Sequence, residues 1–80
     1  MIRQYIVSSN INAVGHHRGN LYIKFNSGAA YEYTKVPLRA YLDLAGAESA
    51  GQHFHRNIKG KFDYVKLDFD PFANATKEAA

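Results

Sequence analysis

The chain contains no cysteine, which removes disulfides and thiolate metal sites as sources of stability. It also lacks any apolar run near the roughly 20 residues that cross a bilayer. Met1-Ile2-Arg3-Gln4 gives way to polar residues within a few positions, without the apolar segment of a signal peptide. The expectation is a cytoplasmic protein without membrane contact. Only two prolines are present, and both Pro37 and Pro71 sit at boundaries between patterned segments. Eighty residues allow one domain with a small, marginal core. Such a domain is held by dense aromatic packing or by association with further copies. Six Tyr and five Phe serve the first route, and a homo-oligomer is expected from the second.

A strong charge of either sign is also missing, since the net charge is +3. It is unevenly placed. Against Arg3, Arg18, Lys24, Lys35, Arg39, Arg56, Lys59 and Lys61 stand only Glu32, Asp43 and Glu48. Beyond them, Asp63, Asp68, Asp70 and Glu78 face Lys66 and Lys77. A basic body of this kind tolerates polyanions, although an ordinary solvated surface explains it equally well.

What is present is a legible order of elements. Tyr5-Ile6-Val7 and Ile11-Asn12-Ala13-Val14 are short β-prone runs separated by Ser8-Ser9-Asn10. Arg18-Gly19-Asn20 turns Val14-Gly15-His16 into Leu21-Tyr22-Ile23-Lys24-Phe25. In the next hairpin side chains alternate with period two. A three-residue loop, Asn26-Ser27-Gly28, sets Phe25 opposite Ala29, Ile23 opposite Tyr31 and Leu21 opposite Tyr33. A two-residue loop would place both tyrosines on the wrong face. Gly28 suits the left-handed position of the longer loop, so Tyr31 and Tyr33 face the core with hydroxyls at its rim.

Lys35-Val36-Pro37 ends that strand, and Pro37 suits the first position of a helix over 37–45. Leu38, Tyr41, Leu42 and Ala45 recur at helical spacing and Gly46 stops it. Ser49 caps a second helix that carries Phe54 and Ile58 on one face and ends at Gly60. Val65, Leu67 and Phe69 alternate, giving a last strand over 62–69 that Asp70-Pro71 breaks. The expected fold class is α+β: a small antiparallel β-sheet, a meander whose last strand is C-terminal, with two short helices packed on one face. Residues 1–70 form one domain and 71–80 a flexible C-terminal tail.

Ser8-Ser9, Ile11, Val14-Gly15, Leu21 to Phe25, Ser27-Gly28, Tyr31-x-Tyr33, Val36-Pro37, Tyr41, Leu44, Ser49-x-Gly51, Phe54 and Ile58, in this order and spacing, resemble the KTSC domain family over about residues 7–62. That resemblance implies a small module found at the C-terminus of some lysyl-tRNA synthetases and free-standing in bacteria and phages. It implies no general activity, and RNA binding only by the company the module keeps. If the chain is phage-encoded, its compartment is the bacterial host cytoplasm. His16-His17 stand where the family pattern has an aromatic and an acid. His53 and His55 flank Phe54 where Tyr and Asn are commoner.

The start of the second helix is the best physical candidate for a ligand site. Its unpaired N–H groups and partial positive charge suit phosphate. Ser49, Gly51 and Gln52 would line it, His53 and Arg56 follow on the helix, and Lys35 and Arg39 come from the neighbouring segment. The plain alternative is that Ser49 caps and Gly51 packs. Tyr22 and Lys24 share the polar face of their strand, where a ring beside a cation can stack on a base. Two histidines two apart on a helix point about 200° apart, at about 100° per residue, so His53 and His55 cannot share a metal. Adjacent His16 and His17 on a strand point to opposite faces. No metal, cofactor or catalytic residue is assigned.

The reading that emerges is a non-catalytic binding module for a phosphate-bearing ligand, RNA or a small nucleotide. A variant, by analogy with free-standing phage proteins, is an oligomeric sponge for a signalling nucleotide. A protein–protein interaction module using exposed tyrosines and the acidic tail is the alternative. A histidine-dependent phosphodiesterase or ribonuclease is the third, with proton-transfer residues present but nothing in the sequence to set their geometry.

Overall fold

The computed structural model describes residues 4–5 and 10–72 of the chain. Strands β1 (Gln4–Tyr5), β2 (Ile11–His17), β3 (Asn20–Phe25), β4 (Ala30–Tyr33) and β5 (Tyr64–Leu67) form one antiparallel sheet in the order β1-β2-β3-β4-β5. Helices α1 (Leu38–Ala45) and α2 (Ala50–Asn57) lie between β4 and β5. The α+β meander is therefore as the sequence implies. The remainder of the expected first strand, Ile6 and Val7, lies outside the described residues.

Both hairpin turns follow from local chemistry. Arg18 and Gly19 have φ of 52° and 82°, and His17 pairs with Asn20 across them. Two consecutive left-handed residues are what a two-residue hairpin of right-handed twist requires. The β3–β4 register pairs Leu21 with Tyr33 and Ile23 with Tyr31. The Phe25 N–H donates to the Ala29 carbonyl at 2.8 Å, and Gly28 has φ of 98°. The three-residue loop is thus the one the alternation demands.

Ile11, Val14, Leu21, Ile23 and Tyr33 present one face of the sheet to Val36, Leu44, Ala50, Phe54 and Ile58, and these residues form the main core. A register shift between Ile11 and Ala13 keeps Ile11 on this face. The β4–α1 connection is anchored to the β2–β3 turn. The Val36 N–H donates to Gly19 O at 2.8 Å, and His16 Nε2 lies 2.7 Å from Val36 O. Lys35 between them takes a left-handed φ of 55°.

Four details differ from the sequence reading. Pro37 is the extended cap of α1 (ψ 149°) rather than its first residue. The face of α1 turned inward is Leu44 with the partly buried Ala40, Tyr41 and Ala45, while Leu38 and Leu42 are 55% and 52% exposed. At about 100° per residue the inward stripe is rotated by roughly 80° about the helix axis, so Tyr41 and Ala45 stay on it, Ala40 and Leu44 join it, and Leu38 and Leu42 leave it. The last strand covers only Tyr64–Leu67, and α2 ends at Asn57 rather than at Gly60.

The second sheet face carries its own small cover. Lys24 Nζ meets Asp70 Oδ2 at 2.7 Å, and the other Asp70 oxygen accepts the Phe72 N–H at 2.8 Å. Phe72 is fully buried although it falls in the stretch expected as a flexible tail. Residues 73–80 of that stretch lie outside the described residues.

Candidate functional site

Alternation along β3, β4 and β5 aligns Phe25, Tyr31, Tyr33 and Tyr64 on the helix side of the sheet. Helix α2 lays Phe54 against them. Phe25 and Phe54 ring centroids are 5.5 Å apart and nearly perpendicular, and Tyr33 and Phe54 are 5.7 Å apart in the same manner. Tyr64 sits 5.8 Å from Tyr31 and 5.4 Å from Tyr33. Phe25–Phe54, Tyr33–Phe54 and Tyr31–Tyr64 meet edge to face, which uses the ring quadrupoles, while Tyr33 and Tyr64 are tilted at 33°.

These rings floor a groove of about 590 Å³ that opens between the β3–β4 hairpin and α2. Asn10, Asn26 and Ser27 bound one end, and Gly51, His55 and Lys59 bound the helix side. Its size falls within that of small-ligand clefts, which are lined by apolar and aromatic groups with a few polar ones. Tyr33 is 5% exposed, and burial pushes its phenol up to about 12, aided by repulsion from Tyr64 and Tyr31 phenolates. Tyr33 is thus a neutral donor over the ordinary pH range. Tyr64 is 59% exposed and offers its ring to solvent.

The residues expected at the start of α2 are arranged differently. Ser49 Oγ accepts the Gln52 N–H at 3.4 Å, so Ser49 caps the helix. Gly51 is buried and lines the groove. Gln52 and Arg56 are exposed, and His53 Nδ1 lies 3.4 Å from Asn57 Nδ2. Arg39 pairs with Asp43 at 3.2 Å on α1, and the Lys35 N–H donates to Asn20 Oδ1 at 3.4 Å. Of this set only Gly51 reaches the groove.

Tyr22 and Lys24 occupy the opposite sheet face, as alternation implies, and both have intramolecular partners. The Tyr22 hydroxyl donates to Glu32 Oε2 at 3.0 Å, and Asn20 Nδ2 donates to the same oxygen at 2.7 Å. Burial, then the Glu32 carboxylate, raises the Tyr22 pKa. Lys24 is held by Asp70. The histidine pairs are also separated in role: His16 binds the Val36 carbonyl and stacks on Tyr41 at 5.7 Å, whereas His55 packs on Phe54 at 6.0 Å. Among the described residues no group of three His, Cys, Asp or Glu side chains could hold a metal ion, and no helix is long and apolar enough to cross a membrane.

Sequence reasoning missed Tyr64, His55 and Lys59 as partners in one groove. The available signal was parity: in a β4–β5 pairing, Tyr64 falls opposite Tyr33 and Lys66 opposite Tyr31.

Comparisons with known proteins agree with this architecture. A lysine–tRNA ligase from Trichormus variabilis is 53% identical over 47 residues, covering 59% of this chain and 8% of the ligase. One from Nostoc punctiforme matches to the same extent. The chain thus spans only a small part of the length of these relatives. A protein from Tsukamurella paurometabola is 36% identical over 66 residues, covering 80% of this chain and 98% of that protein. The crystal structure of a KTSC domain protein from Yersinia pestis superposes with a TM-score of 0.77 at 37% identity, covering 81% of this chain and 94% of that one. With the KTSC domain profile matching residues 7–62, the chain belongs to the KTSC domain family.

Proposed function

We propose that the chain is a non-catalytic binding module for a phosphate-bearing ligand, single-stranded RNA or a nucleotide, received in the aromatic groove. The observation that carries this reading is the groove itself, in which Tyr31 and Tyr64 stand beside Lys59 and His55. A base stacked on an exposed aromatic gains about 1–3 kcal/mol, largely irrespective of its identity, and a nearby cation holds the phosphate. The relatives named lysine–tRNA ligase lend weight to RNA within this class. A small signalling nucleotide held between copies is the sponge variant of the same reading. The start of α2, with Ser49, Gln52, His53, Arg56, Lys35 and Arg39, is the competing anchor. It is weakened by the Ser49 cap and by the Arg39–Asp43 pair.

The test is titration of the full chain with short single-stranded RNAs, mononucleotides and cyclic dinucleotides, read by fluorescence anisotropy or thermal shift. Tyr64→Ala and Lys59→Ala should each weaken binding by about tenfold, the equivalent of about 1.4 kcal/mol. Ser49→Ala should leave it unchanged. RNA binding should fall steeply with salt. Loss of binding in Arg56→Ala with none in Tyr64→Ala would move the site to the start of α2. An absence of any binding would reject the module as a nucleotide or RNA binder. A protein partner would then be favoured, for which Leu38 and Leu42, exposed on adjacent turns of α1, are the apolar surface.

A further inference from the structure

Strand β5 is an edge of the sheet among the described residues, and its outward groups are fixed by the register. The Thr34 N–H donates to Asp63 O at 2.9 Å, so the pairs of the same parity, Glu32 with Val65 and Ala30 with Leu67, are the hydrogen-bonded ones. The backbone N–H and C=O groups of Tyr64 and Lys66 therefore point away from β4. Such an edge is a template for pairing with another chain. Apolar side chains are exposed there too: Val65 on the strand is 53% exposed, and Phe69, two residues beyond its end, 60%.

We propose that β5 pairs antiparallel with β5 of a second copy of this chain, about a two-fold axis at Leu67. The sequence around Leu67 is self-complementary in this register. Lys66 falls opposite Asp68 of the other copy, twice by symmetry, and Val65 falls opposite Phe69, again twice. Lys66 and Asp68 are both exposed, and opposite charges directly across a ladder are favourable. With β5 continued through Asp68 and Phe69, which form a bend in the single chain, alternation would place Lys66 and Asp68 on the helix side and Val65 and Phe69 on the other, so polar and apolar pairs would segregate. Neighbouring registers lose this. An axis at Lys66 sets two ammonium groups against each other, and an axis at Val65 opposes Asp63 to Leu67. Extension of β5 by two residues, through the bend at Asp68–Phe69, completes the seam. An isologous contact of this kind closes as a dimer. The axis runs perpendicular to the sheet, so both helix layers and both aromatic grooves lie on the same face of the joined sheet.

The absence of cysteine makes the register directly testable. Residues facing each other at a non-hydrogen-bonded antiparallel position have Cα atoms about 4.5 Å apart, within disulfide range. Under mild oxidation Leu67→Cys should crosslink to a dimer, whereas Val65→Cys and Lys66→Cys alone should not. Lys66→Asp and Asp68→Lys should each weaken self-association by about tenfold or more, through two like-charge pairs. An equimolar mixture of the two variants should restore it, because their heterodimer regains both ion pairs. Sedimentation of the unmodified chain as a monomer at every concentration would overturn the proposal. So would crosslinking centred on another residue, or a mixture that stays monomeric.

Discussion

Tyr33 shows how one side chain serves the core and the groove together. Its ring packs on Phe54 and lies beside those of Tyr64 and Tyr31. Folding raises its pKa from 10.0 to about 12, so the folded state holds the phenolic proton more tightly than the unfolded chain does. This contribution to stability is complete below pH 10.0 and is lost as the pH rises through about 12, because unfolding then releases a proton. Urea unfolding at a series of alkaline pH values should therefore show stability declining across this window. Tyr33→Phe should flatten the decline without abolishing it, since burial raises Tyr22 and Tyr41 in the same direction. A wild-type profile that is level across the window would remove Tyr33 from this role.

At the scale of elements, the β3–β4 hairpin is specified by period-two alternation and one glycine. Gly28→Ala meets no steric neighbour, yet a φ of 98° is strained for any residue with a Cβ. The variant should lose about 1–2 kcal/mol, read as a lower urea midpoint with unchanged slope. An unshifted midpoint would mean that the loop relaxes to another conformation. This hairpin was legible in the sequence because register, loop length and glycine position all point to one answer. The cap of α2 was legible for the same reason, Ser49 followed by small residues. Helix α1 was harder: Leu38, Tyr41, Leu42 and Ala45 satisfy helical spacing as well as Ala40, Tyr41, Leu44 and Ala45 do, and packing against both β2 and α2 selects the second set. The groove was less legible still. It joins Tyr31 and Tyr33 to Tyr64, about thirty residues later, and its basic side chains, His55 and Lys59, come from α2 and the turn after it. Only tertiary pairing brings such distant positions to one face.

For the molecule as a whole, the sheet is covered on one face by two helices and on the other by the chain's return past Asp70. The Lys24–Asp70 bridge ties that return to β3, and Asp70 also holds the N–H of the buried Phe72. In so small a domain a single phenyl ring is a large share of the core. Phe72→Ala should cost about 3–5 kcal/mol, seen as a large drop in melting temperature, while a drop no larger than for a surface substitution would show that the second face needs no cover. On the two proposals above, the aromatic groove and the β5 edge are surfaces that meet partners. The central claim, that the groove receives a phosphate-bearing ligand, is tested most directly by mapping backbone amide chemical shifts of the labelled chain during titration with a short single-stranded RNA. Perturbations should concentrate at Tyr31, Gly51, His55, Lys59 and Tyr64. Perturbations confined to Ser49, Gln52, Arg56 and Arg39, or none at any RNA concentration, would contradict that claim.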